Sequence, residues 1–446
     1  MSTLLIRNGT IVTMNDRLDV VSGDVFIRDG VIVSVGHRQI AESPDRPIDR
    51  TIDARGGYVL PGFIQTHIHL CQTLFRGFAD DLPLMDWLRK RVWLLEAAHT
   101  PETLRAATHL ATTELLMSGT TSVLTMETVH DTDVVFEAAG ESGIRATIGK
   151  CMMDAPADGT PARMRENAKA SLDESRSLLK QWDGARHGRL RAAFAPRFAV
   201  SCTRELLEAV ADVSAETNTL VHTHASESRD EIAIVRALSG MANVEYLADV
   251  RLASPRLCAA HCVWVGDREQ ALLAEHDIKV MHCPSSNLKL GSGLAPVAEL
   301  RQRGVTVSLG ADGAACNNRL DMFEEMRLAA LLQATRYEPG ALTARDALAM
   351  ATRAGATTLG RDHELGSIEP GKRADLIVVD RERLHQAPDR DPYSTIVYAA
   401  RGSDVRTTIV DGEVLVDEFA PTRVDPAAIA AHARAAAETL AQRAGL

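Results

Sequence analysis

The chain has 446 residues, too many for one small domain and enough for a barrel of roughly 250 residues or more plus a second module. Lys and Arg number 49 against 60 Asp and Glu, a formal charge of -11, which argues against a nucleic-acid backbone or an anionic membrane as partner and favours a small molecule. The seven cysteines (Cys71, Cys151, Cys202, Cys258, Cys262, Cys283, Cys316) form no CxxC pair and sit mostly in apolar stretches, which fits a reducing compartment. Met1 to Val12 lacks a leader-like basic region followed by an apolar core, and no run approaches the ~18 apolar residues of a membrane span. A cytoplasmic protein is expected.

In chain order, Thr3 to Val12 and Asp24 to Gly36 are β-rich, with Asn8-Gly9 and Asp29-Gly30 as hairpin turn signals. The same texture returns in Ala374 to Asp380 and Val405 to Val416. The simplest reading is a small β-sandwich assembled from both ends, residues 1–57 and 368–420, around a middle domain, residues 58–367. In that middle part, helical patterns at Pro101 to Met117, Asp131 to Gly143, Met164 to Trp182, Thr203 to Thr217, Glu231 to Leu238, Val244 to Ala248, Asp267 to His276 and Val297 to Arg303 alternate with strand-like runs. The strands are expected at Thr120 to Met126, Ile144 to Cys151, Arg189 to Phe194, Thr219 to Thr223, Leu257 to Ala260, Lys279 to His282 and Val305 to Leu309. Such alternation implies a parallel α/β sheet, and at this length a closed, TIM-like (β/α)8 barrel rather than a doubly wound sheet. Residues 421–446, alanine-rich from Pro426, read as a C-terminal helix on the outside.

The organising stretch is Pro61-Gly62-Phe63-Ile64-Gln65-Thr66-His67-Ile68-His69. On a strand, alternate side chains share a face, so His67 and His69 point the same way from its C-terminal end. Imidazole nitrogen suits zinc or iron, with further ligands coming from distant parts of the chain. Alone, His-x-His could equally be a polar strand end. Downstream, His224, His261 and Asp312 each follow a β-rich run, where barrel chemistry is expected. Five such positions in the order HxH, H, H, D favour a site over unrelated structural residues.

PGFIQTHIH (61–69), HASE (224–227), AHCVW (260–264), HCPSSNLKLGSG (282–293), GADGAACNN (310–318), DMFEEMRLAALLQ (321–333) and GSIEPGKRADLIVVD (366–380) together resemble the deaminase branch of the amidohydrolase superfamily. That branch holds S-adenosylhomocysteine/5'-methylthioadenosine deaminases, guanine deaminases and triazine hydrolases. The resemblance implies one divalent metal, zinc in the first place and iron as the alternative, held by His67, His69, His224 and Asp312. It makes Glu227 and His261 catalytic, and no lysine stands where a carboxylated bridge between two metals would. Three imidazoles and a carboxylate on a metal draw the pKa of bound water towards neutrality. Asp312 would take the water's proton as general base. His261 would stabilise the tetrahedral centre, and Glu227 would protonate the ring nitrogen beside the attacked carbon. The plainer reading of Glu227 is an exposed loop carboxylate.

His222 faces the same way as His224 without a counterpart in the family pattern, and supports the ligands or packs in the barrel. His282 carries a supporting role by resemblance, and Ser286 and Asn287 would fix nearby loops. For substrate, Arg197 and Gln72 resemble the purine-contacting pair of guanine deaminases, while Asp80 to Leu88, GADGAACNN and DMFEEMRLAALLQ resemble the adenosine-type enzymes, which usually carry a His at the position of Arg197. Glu96 matches a glutamate that contacts ribose hydroxyls in adenosine-type enzymes, but a similar glutamate occurs in guanine deaminases and so decides little; Trp87 could stack on a heterocycle. Arg197 could instead be an ordinary salt-bridge partner. The expectation is a metal-dependent hydrolytic deaminase that converts an exocyclic amine of a purine or purine nucleoside to a carbonyl. An s-triazine hydrolase and a non-catalytic metal-binding scaffold are the alternatives. The resemblance also implies a homo-oligomer, dimer or tetramer.

Overall fold

The computed structural model describes residues 2–36, 48–155 and 159–446. Its centre is a run of eight parallel strands: Phe63–His69, Thr120–Met126, Arg145–Met152, Leu190–Pro196, Val221–Ala225, Leu257–His261, Lys279–His282 and Val307–Leu309. Each pairs in parallel with the next. The chain past the last strand continues into Asp312–Gly313, which pairs in parallel with Ile68 and His69 of the first. That pairing closes a (β/α)8 barrel. Both faces of these strands are covered, which is why Thr120–Met126 and Arg145–Met152 are buried at every position.

Closure depends on Gly310. A Cβ there would lie 2.5 Å from the His67 carbonyl oxygen, so only glycine lets the last strand come this close to the first.

The second sheet takes strands from both chain ends. Thr3–Val12, Val20–Arg28, Val31–Gly36, Arg50–Asp53 and Tyr58–Pro61 join Leu376–Val379, Val405–Val410, Glu413–Asp417 and Ala420–Pro421. The junction is the antiparallel pair Tyr58–Pro61 with Leu376–Val379. Leu4, Ile6, Val25, Ile27, Val59, Leu376, Val378 and Ile409 form its own apolar core. The part of the expected 1–57 segment at 37–47 lies outside the described residues. Arg145, on the third barrel strand, binds Asp375 with two hydrogen bonds, Nε to Oδ2 at 2.8 Å and Nη2 to Oδ1 at 3.0 Å, and so rivets the sheet to the barrel.

Asp29-Gly30 turns the hairpin between Val20–Arg28 and Val31–Gly36 as expected. Asn8-Gly9 is not a turn. It lies inside Thr3–Val12, where the register shifts between Ile6 and Gly9 and Asn8 takes φ 59°. This is a β-bulge, stabilised by Asp24 accepting the Asn8 N–H at 3.0 Å and Asp53 accepting from its side chain at 3.1 Å. The helix expected from Met164 starts at Ala168, because the Asn167 side chain accepts the Ala170 N–H and caps it there. Pro426–Ala444 buries Ala433, Ala436 and Leu440 against helices Trp93–Ala98 and Pro101–Met117. All seven cysteines are buried and unpaired. Among the described residues no helix is long and apolar enough to cross a membrane.

Candidate active site

The C-terminal mouth of the barrel gathers His67 and His69 from the first strand, His224 from the fifth, His261 from the sixth and Asp312 after the eighth. The imidazoles of His67, His69 and His224 are each fixed through Nδ1. His69 Nδ1 donates to the Met126 carbonyl at 2.6 Å and His224 Nδ1 to the Arg197 carbonyl at 2.7 Å. His67 Nδ1 donates to His222 Nε2 at 2.6 Å, and His222 Nδ1 donates in turn to the Thr125 carbonyl at 3.3 Å. With Nδ1 carrying the proton, all three Nε2 lone pairs face one point. Burial pushes His67 down to about 4. His222 and His224 lie well below the ordinary histidine value, through burial and then neighbouring imidazoles. All three are neutral at physiological pH. In His69 burial is outweighed by the hydrogen bond and charge of Asp312, so it moves up.

Asp312 Oδ1 lies 3.3 Å from His67 Nε2 and 3.2 Å from His69 Nε2. The Nε2 atoms of His69 and His224 are 3.4 Å apart, and His67 Nε2 is buried with no hydrogen bond. Bare lone pairs at such separations repel one another unless a cation lies between them. The donor set, three imidazole nitrogens and a carboxylate, is that of a divalent metal centre.

Beside it stand three groups able to move protons. His261 Nε2 is 3.7 Å from Glu227 Oε2 and 3.8 Å from Asp312 Oδ2. It too is buried without a hydrogen bond, while its Nδ1 donates to Asn287 Oδ1 at 2.9 Å. Asp312 Oδ2 accepts from Ser286 Oγ at 2.7 Å, and Oδ1 accepts the Gly313 N–H at 2.7 Å. Glu227 is 4 % exposed, which disposes of the loop-carboxylate reading. Burial, with the charges of Asp312 and Glu231 adding to it against His261, pushes its carboxyl up to about 7. A carboxyl poised there can give or take a proton at neutral pH. Ser226, His261, Cys262 and Asp312 all take left-handed backbone, with φ 54°, 71°, 46° and 63°, a concentration of strain typical of functional sites.

Gln72, Trp87 and Arg197 line the same cavity, with Leu84, Leu88, Phe198 and Leu290 as its apolar side. Glu96 lies behind Gln72 and Arg197. Both guanidinium Nη atoms are committed to it, Nη1 to Oε2 at 2.6 Å and Nη2 to Oε1 at 3.2 Å, and Gln72 Nε2 donates to Oε1 at 3.0 Å. The salt-bridge alternative for Arg197 therefore describes its contacts. The planar fork that could have met an oxo-purine edge meets Glu96 instead. Gly313 leaves room for the Gln72 amide, since a Cβ there would be 2.0 Å from Oε1.

Sequence reasoning left His222 without a definite role; it is the acceptor that sets the His67 tautomer. His282 is buried and neither of its ring nitrogens forms a hydrogen bond, so the side-chain support of Asp312 and His261 comes from Ser286 and Asn287. Glu231 was missed as a site residue. It accepts the N–H groups of Ser226 at 3.2 Å and Glu227 at 2.7 Å. Ser228 and Glu231 form a capping box, a signal present in the sequence as S-x-x-E. Glu127, also missed, accepts the Leu70 and Cys71 N–H groups at 3.1 and 2.9 Å just past His69.

Comparison with known proteins agrees with this geometry. The Amidohydrolase family matches residues 58–415. A 5'-deoxyadenosine deaminase of Methanosarcina acetivorans is 39% identical over 446 residues, covering 100% of both chains. A 5-methylthioadenosine/S-adenosylhomocysteine deaminase of Pelotomaculum thermopropionicum is 38% identical over 99% of this chain and 100% of its own. Among solved structures, a zinc-bound adenosine deaminase from Xanthomonas campestris superposes with a TM-score of 0.91 at 33% identity, covering 99% of each chain. The barrel, the histidines and aspartate gathered at its mouth and these matches together make the chain a member of the amidohydrolase family.

Proposed function

We propose that the chain is a zinc-dependent aminohydrolase that replaces the 6-amino group of a 5'-modified adenosine by oxygen and releases ammonia. One observation carries the reading. Glu227, His261 and Asp312, separated by 3.7 and 3.8 Å through His261, face the cavity that the bare Nε2 atoms of the ligand histidines also face. Proton donor, polar stabiliser and base thus converge on one small volume, the arrangement a hydrolytic deamination needs.

When bound, the metal would act as a Lewis acid that makes a water nucleophilic near neutral pH. His67, His69, His224 and Asp312 would hold it. Asp312, with Oδ2 fixed by Ser286, would accept the proton of the attacking water. Glu227, with its carboxyl near 7, would protonate the ring nitrogen next to the amine-bearing carbon and so make that carbon electrophilic. His261 would stabilise the oxygen as the tetrahedral centre forms, its orientation held by Asn287. A proton delivered from the same carboxylates to the amine would let it leave as ammonia.

The nucleoside, rather than a guanine-like base, is favoured by the engagement of Arg197 with Glu96 and by relatives named for adenosine-type substrates. Glu96, held by Arg197 and Gln72, would accept from ribose hydroxyls. The apolar Leu84, Leu88 and Leu290 would suit a substrate that lacks a charged 5' group.

The test is ammonia release by metal-replete protein from 5'-deoxyadenosine, 5'-methylthioadenosine, S-adenosylhomocysteine, adenosine, guanine, 8-oxoguanine and melamine. The adenosines should lead. Preference for guanine or melamine would overturn the substrate assignment, and no turnover of any member would favour the scaffold alternative.

A further inference from the structure

Glu325 lies on helix Met322–Arg336, outside the cavity lining, and is 1 % exposed. Its carboxyl group accepts three hydrogen bonds, two from Ser285 on the short helix Pro284–Lys289 and one from Asn317 in the segment after Asp312. Ser285 donates its N–H to Oε2 at 3.2 Å and its hydroxyl to Oε1 at 2.5 Å. Asn317 Nδ2 donates to Oε1 at 2.9 Å and also to the Ala311 carbonyl at 2.8 Å. Ser285 immediately precedes Ser286 and Asn287, which hold Asp312 Oδ2 and His261 Nδ1. Ala311 immediately precedes Asp312 itself. One buried side chain thus grips the supports of both Asp312 and His261 and the backbone leading into Asp312, without touching either residue.

We infer that Glu325 is a positioning residue for hydrolysis, acting through Ser286 and Asn287 on the mutual geometry of Asp312 and His261. The inference rests on the proposed function. A polar carboxyl group is costly to bury, and its retention between helix Pro284–Lys289 and the Asn317 segment is explained by the geometry it enforces. Misplacement of reacting groups by about 1 Å can cost of order 100-fold in rate, so a clamp at this distance has leverage on turnover. Burial pushes the Glu325 carboxyl up to about 8, and glutamine, neutral and of the same length, keeps one acceptor oxygen for the two contacts made at Oε1 while losing the one from the Ser285 N–H at Oε2.

The experiment compares wild type, Glu325→Ala, Glu325→Gln, Ser286→Ala and the double variant Ser286→Ala/Glu325→Ala, all metal-replete. It measures kcat, KM, bound metal and Tm on the best substrate of the panel. Glu325→Ala should lose ~10- to 100-fold in kcat, in the range seen when outer partners of a metal site are removed, with little change in KM and full metal content. Glu325→Gln, which keeps the two contacts at Oε1, should recover part of that loss. The double variant should fall little below the worse single one, because both lesions break one chain of contacts. A merely structural role predicts losses that multiply in the double variant, and that result, or a kcat for Glu325→Ala near wild type, overturns the inference. Should Glu325→Ala fail to fold, Ser285→Ala removes one arm of the clamp and is read against Ser286→Ala by the same criterion. Wild type that turns over only guanine or melamine would overturn the nucleoside assignment, while Glu325 would still be judged on that substrate.

Discussion

The two halves of the site are held by different means. On the metal side, His67, His69 and His224 lie within strands, and their Nδ1 protons end on the backbone carbonyls of Thr125, Met126 and Arg197, the first through His222. On the proton-moving side, Glu227, His261 and Asp312 stand at strand ends or just beyond, and they lean on the side chains of Ser292, Asn287 and Ser286. Carbonyls of a closed barrel cannot move without breaking the sheet, whereas side chains on the short helix Pro284–Lys289 and on the segment after it can turn about their own bonds. The metal side is therefore built for fixed geometry, and the other side keeps room to follow a changing substrate.

This contrast makes substitutions separable. The largest loss is expected for Asp312→Asn, because Asp312 belongs to both halves. Turnover should drop ~10⁴-fold or more, as when one member of a catalytic unit is removed, and metal content should fall with it. Retention of turnover would end the base assignment. Glu227→Gln comes next, with a loss of ~10² to 10⁴ expected of a missing acid-base group and metal content unchanged by elemental analysis. In wild type the protonated Glu227 needed to protonate the ring is present below about pH 7 and vanishes as pH rises through it. The kcat/KM profile should thus fall on the alkaline side of that value, and Glu227→Gln should remove this limb.

A smaller and opposite signature is expected for His222→Phe. It frees the His67 tautomer, so competition with a chelator should register ~10- to 100-fold weaker metal binding while kcat at saturating metal stays near wild type. If metal affinity holds, the chain from His67 to Thr125 is dispensable. The smallest effect is a rise in KM for Arg197→Ala, which leaves Glu96 without its bidentate partner. An unchanged KM for nucleosides would put Glu96 and Arg197 outside recognition.

How far the sequence revealed this site follows the same division. His67, His69 and His224 were legible because a two-residue period on an apolar strand dictates which side chains converge. Helix Pro101–Met117 and strand Thr120–Met126 were legible to the residue because periodicity and turn chemistry agree there. Asn8-Gly9 was misread because a turn dipeptide also suits a bulge, and only the strand across from it decides which forms. Arg197 was placed at the cavity, but its pairing with Glu96 could not be read, because Glu96 is 101 residues away and pairing at that distance leaves no local pattern. Glu231 left a capping-box signal whose second use, as an anchor for Glu227, exists only once the loop is folded.

The left-handed backbone at His261 and Asp312 sets chemistry against heat resistance. A branched or β-carbon-bearing residue in that conformation costs about 1 kcal/mol relative to glycine, so catalysis here is maintained at the expense of thermal tolerance. His261→Gly should consequently melt at a higher temperature than His261→Ala, although both lack the imidazole. Stabilising consensus substitutions are best sought away from these two positions, since the mouth of the barrel is where this molecule tolerates strain in return for reactivity.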